Sequence, residues 1–263
     1  MSTAPPPIAA PIDPGAQPGQ PGLSQVARVV NTFIAPRKTF EDVRQNSSWW
    51  MPWLLGTIFG LIFGAIAVQK IDMVRFTRQQ IEQSKMAQRQ MEQLSPEQQE
   101  RSIQIRATAT KWFFFAIPLF GGLIFGLILA AIFMGVFNFV FSAEVPFSRA
   151  LAIVFYSFLP RILFAILLSV SLLVSADPNT IDLGSNPMPT NPAFFMDPQG
   201  NKFLYGLLAG LDVFALWAAA LLGLGFAVVS ANRKLKPGTA IATVMALYGI
   251  VVLAGAALRA AFS

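Results

Sequence analysis

Apolar and polar positions alternate in blocks along this chain, with little fine-grained periodicity. Five long apolar stretches stand out, at about 49–68, 112–141, 150–175, 203–231 and 237–258. A membrane-crossing helix needs about 20 apolar residues, and each stretch meets that length. The first, second and fifth carry no charge; the third holds Arg161 and the fourth Asp212. Pro118 and Pro160 fall inside the second and third and predict kinks there. The reading is an all-α, polytopic membrane protein, a bundle of five transmembrane helices.

The segments between and before the spans differ in kind. Residues 1–23 are rich in proline and glycine and lack an apolar run, which predicts a disordered tail. Residues 24–48 read as two short amphipathic helices. Val26, Val29, Val30, Phe33 and Ile34 recur at helical spacing; Pro36 then ends the first helix and opens a second, to about Gln45, with Phe40 and Val43 on its apolar side. Arg28, Arg37, Lys38 and Arg44 supply charge. Such helices either anchor in the membrane interface or pack on the protein's own cytoplasmic face. The 70–111 link is polar and full of helix formers, and Ser95-Pro96-Glu97-Gln98 has the form of a capping box. It predicts a helical hairpin outside the membrane, one arm extending span one and the other running from Pro96 into span two. The 176–201 link, punctuated by Asn, Asp, Pro and Gly, predicts irregular loop.

Composition narrows function more than fold. Of 263 residues, 54% are hydrophobic and 12% charged, against about 25% charged in a soluble domain. The chain has no Cys and no His, which removes thiol nucleophiles, zinc sites built on those residues and the commonest general base. No catalytic residue, metal site or cofactor is expected. Net charge is +6, and in so apolar a chain the partner this suggests is anionic lipid rather than nucleic acid. Counted over short loops, Lys and Arg favour the N-terminus, 142–149 and 232–236 on the cytoplasmic side and Lys202 and Arg259 outside. The N-terminus is therefore expected inside and the C-terminus outside.

Two sets of residues are candidate sites. Small residues let transmembrane helices approach closely: Gly56, Gly60 and Gly64 in span one, Gly122 and Gly126 in span two, Gly206 and Gly210 in span four. These can pack spans within one chain or join copies into a homo-oligomer. Charges in a span usually face the bundle and pair. Arg161 lies about 16 Å from the inner edge and Asp212 about 14 Å from the outer one at 1.5 Å per residue. They are expected to form an ion pair, with Asn138 or Tyr156 nearby.

Several motifs carry a family resemblance. Ala35-Pro36-Arg37 leads to Phe40, then Trp49-x-x-Pro52 opens span one. Asn138 precedes Val145-Pro146-Phe147-Ser148-Arg149-Ala150, and Tyr156 through Pro160 follow. Span four carries Asp212-x-Phe214-x-x-Trp217, then Gly223-Leu-Gly225 and the basic turn 232–236. Over roughly 29–258 the chain resembles the prokaryotic branch of the Yip family (Ypt/Rab-interacting, or Yip-one domain, proteins). The resemblance implies five spans in a prokaryotic inner membrane, a cytoplasmic N-terminal region and a short outer C-terminus. It marks Pro36, Phe40, Pro52, Pro160, Asp212 and Trp217 as family-motif positions. Eukaryotic relatives imply a role in membrane trafficking, through binding of prenylated Rab GTPases and of each other. The expected function is a non-enzymatic membrane scaffold that organises protein partners or lipid. The alternative is a small transporter or channel lined by Arg161 and Asp212.

Overall fold

The computed structural model describes residues 22–262 except 185 and 199. The tail expected over 1–23 therefore lies, apart from its last two residues, outside the described residues. Among the described residues the fold is helical throughout. In order, α1 is Gln25–Ile34, α2 Pro36–Gln45, α3 Trp50–Lys70, α4 Met73–Glu82, α5 Lys85–Glu92 and α6 Pro96–Ala116. Then follow α7 Gly122–Phe141, α8 Phe147–Ser157, α9 Leu159–Val174, α10 Lys202–Ala209, α11 Val213–Val229 and α12 Pro237–Phe262.

Local chemistry fixes most of these ends. Ser24 caps α1 by accepting from the Ala27 N–H, and Pro36 takes the first turn of α2, where its missing N–H costs nothing. Ser95 and Gln98 form the full capping box at the start of α6. At Pro118 the helix does not break but widens into a π turn over Ile117–Gly121, joining α6 to α7 as one 46-residue rod. Pro160 sits in the first turn of α9, just past the junction with α8 at Phe158.

Four helical segments are long and apolar enough to cross a membrane, and α10 with α11 makes a fifth if the bent pair is one span. That pair corrects the expectation of one continuous helix over 203–231: it bends by 53° at Gly210–Asp212. The physical reason is Asp212, which stands as the N-cap of α11 and accepts its Ala215 N–H. The hairpin needs the same correction. Its first arm does not extend span one, because Asp72 caps α4 through the Val74 and Arg75 N–H groups and Ser84 starts α5 afresh. Arg78 and Glu100 clasp α4 to α6 at 2.5 Å. The described residues of the 176–201 link are irregular apart from two short 3₁₀ turns.

The main core lies where α8 and α11 meet α7, α12 and the N-terminal helices. Residues Ala150 to Ser157 are all buried, and Phe137 stacks on Phe226 at 4.5 Å. A smaller cluster around Ala67, Met73, Ala107 and Leu172 ties the hairpin to α3 and α9.

Candidate functional site

Among the described residues two polar centres stand out, one at the N-terminal helices and one within the membrane bundle. The first comes from the turn at Pro36, which folds α2 back on α1 so that two polar stripes meet. Arg28 and Thr32 face Thr39 and Asp42. Arg28 is fully buried and forms an ion pair with Asp42. Thr32 and Thr39 both donate to the Arg28 carbonyl, at 2.8 and 3.0 Å. Asp42 also accepts the Leu23 N–H at 2.8 Å, and the Tyr156 hydroxyl of α8 donates to Gln25 at 3.0 Å. Phe40, at 0% exposure, enters the seam beside Gly225, and Phe33 meets Trp217 edge-on at 5.7 Å. A Cβ on Gly225 would lie 2.5 Å from Ile153 and 2.9 Å from Phe40, so the seam admits no side chain there.

This geometry corrects the reading of Arg28 as one of the surface charges of 24–48. Its hydrogen-bonding and charge are spent inward, while the outer side of α1 is apolar: Val26, Val30 and Ile34 are exposed. Arg37, Lys38 and Arg44 remain at the surface. Sequence reasoning missed the buried pair. Its signal was the polar spacing Arg28/Thr32 and Thr39/Asp42 on either side of a helix-breaking proline.

The second centre lies at the bend between α10 and α11. Asp212 accepts from the Ala215 N–H at 2.8 Å and from the Thr190 hydroxyl at 2.5 Å. The Val213 N–H donates to the Thr190 carbonyl, so the 176–201 link reaches the bend. The Tyr248 hydroxyl of α12 donates to the Gly210 carbonyl at 2.8 Å, a group released by the bend. The Arg161 guanidinium comes to 3.7 Å from Asp212 and lies 5.8 Å from the Phe164 ring centroid. The structure thus brings Arg161 and Asp212 together, but not with the neighbours expected. Asn138 instead brackets Val145 with two hydrogen bonds at the C-terminal end of α7, and Tyr156 serves the first centre. The physical reason is backbone demand: the 142–146 turn, with left-handed Ser142 and Glu144, needs a side-chain clamp.

The glycines fall mostly at close helix contacts within the chain. A Cβ at Gly60 would lie 2.8 Å from Pro118, and at Gly64 2.6 Å from the Phe114 carbonyl oxygen. Gly126 faces Phe155, Gly206 faces Ala256 and Gly210 faces Val252. Gly56 has looser contact, 3.9 Å from Ile162, and Gly122 faces open space. Gly223, against the Ile241 backbone, joins this set. Pro52 is buried at the start of α3.

The Yip1 domain family model matches residues 30–258. The chain belongs to the Yip1 domain family. No curated protein and no solved structure matches it. As a Yip1 domain protein with four apolar spans and a bent fifth, it is an integral, multi-pass membrane protein embedded in lipid. The match encloses both polar centres except for Leu23, Gln25 and Arg28, which precede its first residue. The transporter alternative gains nothing from this: the family match and the bundle support a membrane protein of Yip type.

Proposed function

We propose that this Yip1 domain protein is a non-enzymatic membrane scaffold whose α1–α2 pair is a rigid cytoplasmic platform for anionic lipid and protein partners. The N-terminus is cytoplasmic and the C-terminus outside in this reading. The observation that carries it is the inverted platform. Its polar side is closed by the Arg28–Asp42 pair and tied to α8 through the Tyr156–Gln25 hydrogen bond, and its outer side presents Val26, Val30 and Ile34. Arg37, Lys38 and Arg44 stand exposed on the adjoining helix. An apolar ridge beside cations is the pattern of an interfacial helix on an anionic leaflet.

The test is an environment-sensitive fluorophore on a cysteine at position 30 of this Cys-free chain, in proteoliposomes with and without anionic lipid. The expected result is a blue shift that grows with anionic lipid and is lost when Arg37, Lys38 and Arg44 are all changed to Gln. Ion flux through the same vesicles should stay at background. An emission indifferent to lipid charge, or flux abolished by Arg161→Gln, overturns the reading. Cysteines at 30 and 235 should label from one side of the membrane and those at 90 and 190 from the other.

A further inference from the structure

The polar hairpin encloses a cavity that neither polar centre uses. It has a volume of about 450 Å³ and lies between α4, α5 and α6. Phe76 and Ile81 of α4 line it on one side, and Arg106, Ala109, Thr110 and Phe113 of α6 on the other. The four α6 residues fall at i, i+3, i+4 and i+7, which is one face of the helix. The packing of α6 on α3 fixes the level of that face. Gly64 meets the Phe114 carbonyl, and α3 ends six residues later at Lys70, its first charge. On α6 the uncharged stretch begins at Trp112, 72% exposed, with Phe113 exposed beside it. An exposed tryptophan where an apolar span begins marks the edge of the hydrocarbon. Phe113 thus stands at that edge, and Arg106, about 10 Å higher along the helix, stands at headgroup level.

The lining changes along the helix as a lipid does, from an aromatic ring at the hydrocarbon edge, through a methyl and a hydroxyl, to a cation. That cation is unspent. Among the described residues Arg106 forms no ion pair, whereas Arg78 on the facing helix is neutralised by Glu100. No acidic side chain among the described residues lines the cavity. The Thr110 hydroxyl donates to the Arg106 carbonyl at 2.9 Å, so its proton is used and its oxygen is left to accept. A guanidinium offers five donors in a fork that matches a phosphate. A hydroxyl oxygen with acceptor capacity left complements a headgroup that itself carries donors. The apolar walls match the glycerol and the first acyl carbons beneath it.

We propose that this cavity holds one anionic phospholipid of the leaflet at the hairpin end of α3, with Arg106 binding its phosphate. Thr110 accepts from the headgroup, and Phe76, Ile81 and Phe113 flank the glycerol and the start of the acyl chains. The site lies at the opposite end of α3 from the α1–α2 platform, so it stands or falls separately from it.

The test uses the full-length protein delipidated in a phosphate-free detergent. Phosphatidylglycerol, phosphatidylcholine or inorganic phosphate is titrated in; native mass spectrometry reads bound lipid and thermal unfolding reads the fold. Wild type should retain one phosphatidylglycerol, and phosphatidylcholine, which has no headgroup donor and no net charge, more weakly. Arg106→Gln should weaken retention of phosphatidylglycerol by roughly tenfold, the scale of a lost charge-assisted hydrogen-bond pair. Ala109→Phe, which keeps the charge and fills the cavity, should weaken it as much. Without lipid both variants should unfold at the wild-type temperature, because both positions are exposed. Arg101→Gln on the same helix should change nothing, and neither should Gln at 37, 38 and 44 together, which separates this site from the platform. Equal retention in wild type and Arg106→Gln overturns the proposal. So does retention that survives Ala109→Phe, because the lipid then lies on the surface and not in the cavity. An equal rise in unfolding temperature with inorganic phosphate alone makes the site one for a free anion and overturns it too. A lipid-free dimer broken by Ala109→Phe does the same, because a second copy then fills the cavity.

Discussion

The Arg28–Asp42 and Arg161–Asp212 pairs sit in opposite surroundings. Arg28 and Asp42 are enclosed by two threonines, a tyrosine–glutamine contact and the Leu23 amide, so that nearly every polar atom has a partner. Arg161 and Asp212 share one long contact, and the arginine is half exposed. In a buried pair each charge has given up its water, so loss of either partner strands the other. In an open pair the stranded charge still has somewhere to turn. The same two residue types thus act as a lock in one region and as an unsaturated centre in the other.

The contrast is tested hardest by Asp42→Ala. It strands Arg28 in the seam and should cost about 3–5 kcal/mol, seen as a large fall in the unfolding temperature of the detergent-solubilised protein. Replacing both partners by residues of similar volume, Arg28→Met with Asp42→Leu, should recover most of that loss. Next comes Gly225→Ala, which forces a methyl against Ile153 and Phe40; overpacking of this kind costs about 1–3 kcal/mol. Gly122→Ala, facing open space, should be silent in the same melt. Asp212→Asn keeps a capping oxygen and removes only the charge. It should cost about 1 kcal/mol or less, far below Asp42→Ala, and equal losses at the two aspartates would erase the contrast. Comparable in size is Tyr156→Phe, which removes one hydrogen bond to Gln25 and should cost about 0.5–1.5 kcal/mol. Hydrogen exchange should show that loosening in α1 and α8 and leave α10 and α11 unchanged.

Much of the fold was legible because apolar length and proline position are local signals. Pro36 marks the start of α2, and Ser95 with Pro96 the start of α6. The two misreadings of helix continuity share one cause. Asp72 and Asp212 read as charges in a row of residues, whereas each acts as a cap whose carboxylate satisfies N–H groups two or three residues on. Gly210 just before Asp212 was the available hint. Partners were less legible than ends. Depth arithmetic brought Arg161 level with Asp212, but it carries no rotation about the helix axis, so it could not tell that Tyr156 faces Gln25 or that Asn138 serves a turn. Arg28 was misjudged because a lone arginine on a short helix is ordinarily solvated, and only tertiary folding at Pro36 encloses it.

The π turn at Ile117–Gly121 acts as a phase shifter. Each residue advances an α-helix by about 100°, and the wider turn absorbs one extra residue without ending the rod. The hairpin half of the rod is therefore clocked independently of the membrane half. Its Glu100 can meet Arg78 while Gly126 meets Phe155. Forcing all five residues into regular α-helix would keep the rod continuous yet turn one half against the other by about 100°. The same five residues that seat Pro118 against Gly60 thus set which side of the hairpin faces the bundle.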